Sequence, residues 1–241
     1  MCTVSIFPKG DNDFILTSNR DEAPSRISLP PSFYDFNGKK MLYPKDELSE
    51  GTWVGVSENN RLICLLNGGF KLHTRQPIYR KSRGIVVKEL LVAPHIINIF
   101  NDYNFLGIEP FTLVIADWND GLQFYQFVWD GLEKYFEKLP LEPKIWSSAT
   151  LYTTSMKVER LEWFKEFVET NENSANNILD FHKYAGKDNN EYGTVINRGF
   201  VKTTSITQVC KTGTTVEMRY ENVRNKFVSK EQFKFPEPIN E

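Results

Sequence analysis

Alternation of apolar and polar positions is evident from the start of the chain. Residues 2–7 set Cys2, Val4 and Ile6 against Thr3, Ser5 and Phe7, the period of two expected of a strand. The turn-forming run Pro8-Lys9-Gly10-Asp11-Asn12-Asp13 follows, and Phe14-Ile15-Leu16-Thr17-Ser18 reads as the returning arm of a hairpin. That arm carries Asn19, Arg20 and Asp21 back to the sheet edge from which Cys2 starts. Residues 23–50 hold Pro24, Pro30, Pro31 and Pro44 outside any clear period and are expected to form a long loop, of the kind that is functional or mobile in compact domains. Strands are predicted over 52–57 and 62–66, joined by Glu58-Asn59-Asn60-Arg61, the second ending in Asn67-Gly68-Gly69.

Further along, Ser82 is placed to cap a helix over 83–91, and Pro94 to start a short one ending at about Asn101. A hairpin is predicted over 111–116 and 122–129, and a short strand over 145–148. Residues 156–170 carry Leu161, Phe164, Phe167 and Val168 at helical spacing, and a second helix covers roughly 175–184. Two closing strands are expected near 202–209 and 214–220, around Lys211-Thr212-Gly213. Strand runs and helix runs that are segregated in this way indicate an α+β fold with antiparallel sheets, two sheets covered by helices on their outer faces. With no internal repeat or linker, residues 1–241 are read as one domain.

Composition narrows the classes. Hydrophobic residues make up 40% and charged residues 25% of the 241, as in ordinary globular domains. A net charge of -2 gives no bias toward polyanions, so nucleic acid is not an expected partner. Aromatics at 14%, led by 18 Phe, suit either a Phe-rich core or an apolar pocket for a flat or acyl ligand. Three cysteines are too few for a disulfide framework, and Cys64, inside an apolar run, reads as a buried small hydrophobe. The three histidines share no metal-ligand spacing, so no metal site is expected; His73, near Asn67, is the one of interest. No signal-peptide pattern or transmembrane stretch is present, and the expected location is cytoplasmic.

The chemistry centres on Cys2. Removal of Met1 would leave a cysteine with both a thiol and a free α-amine, a nucleophile that carries its own base. Arg20 can then lower the thiol pKa by its charge, Asp21 can hold the ammonium, and Asn67 can donate its amide to an oxyanion. Each has a plainer reading: a surface turn with local ion pairs for residues 19–22, a turn dipeptide for Asn67-Gly68, and a polar strand end for Ser147-Ser148.

Met1-Cys2-Thr3, Ser18-Asn19-Arg20-Asp21-Glu22 and Gly51-Thr52-Trp53-Val54-Gly55-Val56-Ser57 resemble the NRDE family, also called the transport and Golgi organisation protein 2 family. Leu66-Asn67, Ser82-Arg83-Gly84, Trp146-Ser147-Ser148-Ala149-Thr150-Leu151-Tyr152 and Lys202-Thr203-Thr204-Ser205-Ile206-Thr207 extend the likeness over essentially the whole chain. The resemblance implies the four-layer αββα fold of N-terminal-nucleophile hydrolases, nearest the cysteine branch of bile salt hydrolases and penicillin V acylases. It implies Cys2 as nucleophile, Arg20 and Asp21 beside it, and Asn67 near the oxyanion position, with Asn19 and Trp53 near the substrate. Where that branch uses a later asparagine and a late arginine, this chain offers Ser147 or Ser148 and Lys202. Two functions stay open: a cysteine amidohydrolase acting on a non-peptide C–N bond with no required cofactor, or a non-enzymatic carrier of haem, a lipid or an acyl ligand. Either way the partner is a small molecule.

Overall fold

The structure, a computed structural model, describes residues 3–236, so Cys2 lies outside the described residues. The chain begins with β1 (Thr3–Lys9), β2 (Asp13–Glu22), β3 (Ser28–Phe36), β4 (Lys39–Asp46), β5 (Val54–Ser57) and β6 (Arg61–Asn67). Helices α1 (Arg83–Leu91) and α2 (Ile96–Asp102) follow, then β7 (Phe111–Asp117), β8 (Gln123–Trp129), β9 (Lys134–Leu139) and β10 (Lys144–Ser147). Helices α3 (Thr154–Thr170) and α4 (Ala175–Tyr184) precede β11 (Lys202–Thr212), β12 (Thr215–Asn222) and β13 (Val228–Lys234). One sheet has the order β10-β1-β2-β11-β12-β13 and the other β3-β4-β5-β6-β7-β8-β9, with antiparallel neighbours throughout.

Strand alternation separates the layers. Val4, Ile6, Phe14 and Leu16, on one face of the β1–β2 hairpin, enter the large core shared with the second sheet. Phe7 and Ile15, on the other face, pack with Phe164 and Phe167 of α3 and Ile178 and Phe181 of α4. In β6, residues Leu62 through Leu66 are all buried, which requires cover on both faces of that sheet. Helix α1 supplies the outer cover through Val86, Val87 and Leu90. Arg61, fully buried, fastens it by donating to the Leu90 and Ala93 carbonyls at the helix end while pairing with Asp117 at 2.9 Å. The result is the expected α+β sandwich: helices, sheet, sheet, helices.

Residues 23–50 are not the long loop expected from their prolines. They form the β3–β4 hairpin, turned by Asn37 (φ 54°) and Gly38 (φ 72°), a pair suited to two consecutive positive φ angles. Pro30 and Pro31 are tolerated because β3 is an edge strand and its register shifts between Leu29 and Ser32. Strands β9 and β13, for which no apolar alternation gave a signal, are also edge strands with mostly exposed, charged residues. In α3, Leu161 is 40% exposed while Arg160 is buried, so the inward stripe is not purely apolar.

Helix α4 is joined to the first sheet by a buried polar triad. Asn19 Nδ2 donates to the carbonyls of His182 and Thr194, which turns its Oδ1 toward His182 Nδ1 at 2.6 Å. An acceptor there makes Nδ1 the protonated nitrogen and leaves Nε2 to accept from Ser5 Oγ at 2.7 Å. Burial, reinforced by the Arg160 charge, pushes His182 down to about 3 from 6.5. The unfolded chain therefore takes up a proton below pH 6.5 that the folded chain refuses until about pH 3, so this contribution to stability is complete above pH 6.5 and lost as pH falls. Denaturant unfolding over that range is expected to show a steeper loss for the wild type than for His182→Gln, by up to about 1.4 kcal/mol per pH unit. Parallel curves would refute the assignment.

Candidate functional site

At the C-terminal end of β2, alternation sends Arg20 toward the second sheet and its neighbours Asn19 and Asp21 the other way. Arg20 Nη2 lies 2.5 Å from Asp46 Oδ2 on β4, an ion pair between the two sheets with both side chains buried. Arg26 reaches the same carboxylate from Nε at 2.8 Å and Nη2 at 3.2 Å, and Ser49 donates to Asp46 Oδ1 from both N and Oγ at 2.9 Å. Burial alone would raise the Asp46 carboxyl; the Arg26 and Ser49 hydrogen bonds outweigh it and hold the pKa low. Burial draws the Arg20 pKa down, against the opposing pull of Glu22 and Asp46.

The Arg20 side chain is held in place on two more sides. Its guanidinium carbon sits 4.7 Å from the centroid of the Trp53 ring. Its Nη1 donates to Thr204 Oγ1, which in turn donates to the Arg20 carbonyl. Thr204 lies where the β2–β11 register shifts between Thr203 and Ser205, a bulge that turns this hydroxyl to the site. Arg20, Trp53, Asp46, Arg26 and Ser49 line a cavity of about 300 Å³ together with Glu22, Leu65, Asn67, Arg83 and Glu109, while Thr204 lies outside its lining. Trp53 is 3% exposed and its Nε1–H has no hydrogen-bond partner among the described residues.

Two glycines shape the wall opposite Arg20. A Cβ on Gly51 would come within 2.8 Å of the Gly84 backbone, and one on Gly84 within 2.9 Å of Thr52. This approach seats the first turn of α1, capped by Ser82, against the Thr52–Trp53 segment that leads into β5. It also directs Arg83 to Glu109 at 3.2 Å. The Gly51-Thr52-Trp53 and Ser82-Arg83-Gly84 segments are thus two sides of one contact.

The expected site residues divide into groups. Arg20, Trp53 and Asn67 converge on the cavity. Asp21 lies on the far side of β2, where it accepts from Tyr152 Oη at 3.0 Å and Thr203 Oγ1 at 2.6 Å. Asn19 is fully buried in the His182 triad and does not line the cavity, because its strand position faces the helix layer. Ser147 and Ser148 border a separate hollow of about 160 Å³. Ser148 Oγ donates to the Asn67 carbonyl at 2.8 Å and so fixes the end of β6. Lys202 lines a third hollow, of about 660 Å³, that shares Arg26 with the first. His73 lies 3.4 Å from Glu109, and among the described residues no cluster of metal-ligating side chains forms.

Sequence patterns passed over Asp46, which sat in the supposed loop, and Arg160, which sat in a helix otherwise read by its apolar stripe. Arg160 is 1% exposed and joins the start of β1 to its edge neighbour β10, donating to Thr3 Oγ1 and, at 2.9 Å, to Ser147 Oγ. Its Nη1 donates to the Tyr192 and Gly193 carbonyls at 2.7 Å. Arg160→Met keeps the apolar stem but strands these acceptors; chemical denaturation is expected to show a loss of about 3 kcal/mol or more.

Residues 1–216 match the family described as Transport and Golgi organisation 2. No curated protein sequence matches the chain. Among solved structures, two variants of the conjugated bile acid hydrolase from Clostridium perfringens align over 99% and 100% of this chain and 99% of theirs, with TM-scores of 0.59 and 0.63 and 10% identity. Penicillin V acylase from Agrobacterium tumefaciens aligns over 95% of this chain and 85% of its own, at a TM-score of 0.58 and 10% identity. The Caenorhabditis elegans ortholog of N-acylethanolamine-hydrolyzing acid amidase covers 86% of this chain and 92% of its own, at 0.51 and 11%. The shared architecture is the two-sheet sandwich with its helical outer layers, and with the match over residues 1–216 the chain belongs to the Transport and Golgi organisation 2 family and has an N-terminal-nucleophile-hydrolase-like fold.

Proposed function

We propose that this protein is an amidohydrolase that uses Cys2, exposed by removal of Met1, to cleave the C–N bond of a small acyl-amide. The observation that carries the reading is the register at the start of β1. Thr3, bonded to Cys2, pairs with Asn19, the residue before Arg20, and Arg20, Trp53 and Asn67 line one cavity. Fold neighbours that are by name a conjugated bile acid hydrolase, a penicillin V acylase and an acid amidase support the same class.

In this scheme the Cys2 sulfur attacks the amide carbonyl, its proton passing to the α-amine and then to the departing nitrogen as the C–N bond breaks. Water, deprotonated by the same amine, cleaves the resulting thioester, releases the acid and restores the thiol. Asn67, at the end of β6, is a donor on the cavity wall for a carbonyl oxygen or its oxyanion. Arg20 acts by fixed position: with Asp46 and Glu22 beside it, at 2.5 and 3.9 Å, it brings little net charge.

The second reading is carriage of an acyl ligand or haem without turnover. The walls of the cavity disfavour a flat apolar macrocycle, because Trp53, Leu65 and Pro77 are its principal apolar members among many charged ones.

Intact mass measurement after exposure to a thiol-acylating ester separates the readings. Burial raises the Cys64 thiol to about 12 and the Cys210 thiol to about 11, so neither presents much thiolate near neutral pH and the probe reports on Cys2. The expected result is loss of Met1 and one acyl group on Cys2, absent in Cys2→Ala. Asn67→Ala is expected to slow turnover of a hydrolysed acyl-amide by about a hundredfold, largely in kcat. Retained Met1, or a Cys2 that stays unmodified, would overturn the enzymatic reading in favour of carriage.

A further inference from the structure

The near balance of charge along the chain conceals a sharp local excess. Between Glu58 and Glu89 the sequence contains no carboxylate side chain and seven Lys or Arg residues: Arg61, Lys71, Arg75, Arg80, Lys81, Arg83 and Lys88. Several of these are turned to partners, Arg61 to Asp117, Lys81 to Glu89 and Arg83 to Glu109. Lys71, Arg75 and Arg80 stand on the exposed connection between β6 and α1. Arg75 is 78% exposed and only 4.0 Å from Glu109, while Arg80 donates to the Asn104 and Leu106 carbonyls rather than to a carboxylate.

Large apolar side chains protrude between these cations. Ile78 is 87% exposed, Leu72 74% and Leu106 65%. Arg80 ties the two loops that bear them, because its backbone N–H also donates to the Gly107 carbonyl at 2.8 Å. The same connection supplies Arg75, Gln76, Pro77, Tyr79 and Lys81 to the wall of the cavity beside Arg20. Ile78, between the lining residues Pro77 and Tyr79, therefore stands at the rim of that cavity.

Cations interleaved with singly protruding aliphatic side chains match one kind of surface best. A nucleic acid would meet the charges and leave Leu72 and Ile78 in water. The boundary of an anionic bilayer accepts both, headgroups taking the cations and the acyl region the aliphatic tips. We infer that residues 70–81, with Leu106, form a docking face for an anionic membrane, which would turn the cavity mouth toward the lipid. An amphiphilic ligand could then pass between bilayer and cavity without crossing water. The inference concerns binding alone and does not rest on the chemistry of Cys2.

The test is co-sedimentation of the full chain with vesicles of phosphatidylcholine alone and of phosphatidylcholine mixed with phosphatidylglycerol. Binding is expected only to the anionic vesicles and is expected to weaken as salt rises. Lys71→Glu with Arg75→Glu should lower the partition coefficient by about tenfold or more, and Leu72→Ser with Ile78→Ser should also weaken binding. Circular dichroism of each variant confirms that the fold is kept. Failure to bind anionic vesicles, or equal binding by both folded variants, would overturn the inference. Binding to single-stranded RNA that survives Leu72→Ser with Ile78→Ser, where vesicle binding does not, would assign the face to nucleic acid and overturn it as well.

Discussion

The ion pair between Arg20 and Asp46 joins the two sheets at the point where their shared apolar core gives way to a cavity. Deeper between the sheets, Val4, Leu16, Val54 and Leu66 close the space by packing. Withdrawing two charges from water costs several kcal/mol for each ion, which attraction alone does not recover. Here the second arginine, Arg26, and two donors from Ser49 complete the Asp46 carboxylate. Thr204 and the Trp53 ring do the same for Arg20. Such a cluster specifies how the sheets meet, because any slip of β2 against β11 or of β4 against β3 would leave buried charge without its partners.

The four residues Asn19 to Glu22 therefore serve two layers. Asn19, turned to the helices, fixes the His182 tautomer and anchors α4; Asp21 receives hydroxyls from Tyr152 and Thr203; Arg20 alone of these three faces the cavity. A one-residue shift in register would exchange these roles and bury a guanidinium in the helix layer, beside His182 or Tyr152. The constraint on this short segment is as much architectural as chemical.

Much of this was legible from sequence pattern. The β1–β2 hairpin, the extent of α4 and the Ser82 cap of α1 follow from alternation, helical spacing and capping chemistry. The β3–β4 hairpin was obscured because its prolines carried more weight than Asn37-Gly38, although an edge strand with a bulge accommodates them. Strands β9 and β13 gave no signal because edge strands that face water are protected by charge, not marked by apolar residues. Arg160 and Arg61 were the least legible. A buried arginine satisfied by carbonyls and hydroxyls has no fixed spacing from its partners, which lie as far away as Thr3 for Arg160 and Ala93 for Arg61.

The same ion pair limits how the proposed nucleophile could be activated. A bare arginine beside a thiol lowers its pKa through unopposed charge, an effect that reaches several ångströms. Arg20 is opposed by Asp46 and Glu22, so its influence is short-ranged and directional, that of a guanidinium held by Trp53 and Thr204 at a fixed place on the cavity wall. In the proposed scheme, activation of Cys2 would then rest more on its own α-amine, whose ordinary pKa near ~8 suits proton exchange at neutral pH. An amine base built into the nucleophile needs no histidine, and the buried His182, kept neutral between Asn19 and Ser5, is left to its structural task. In that scheme the chemistry would be concentrated at Cys2, while the surrounding ion pairs join the sheets and form the wall of the cavity beside it.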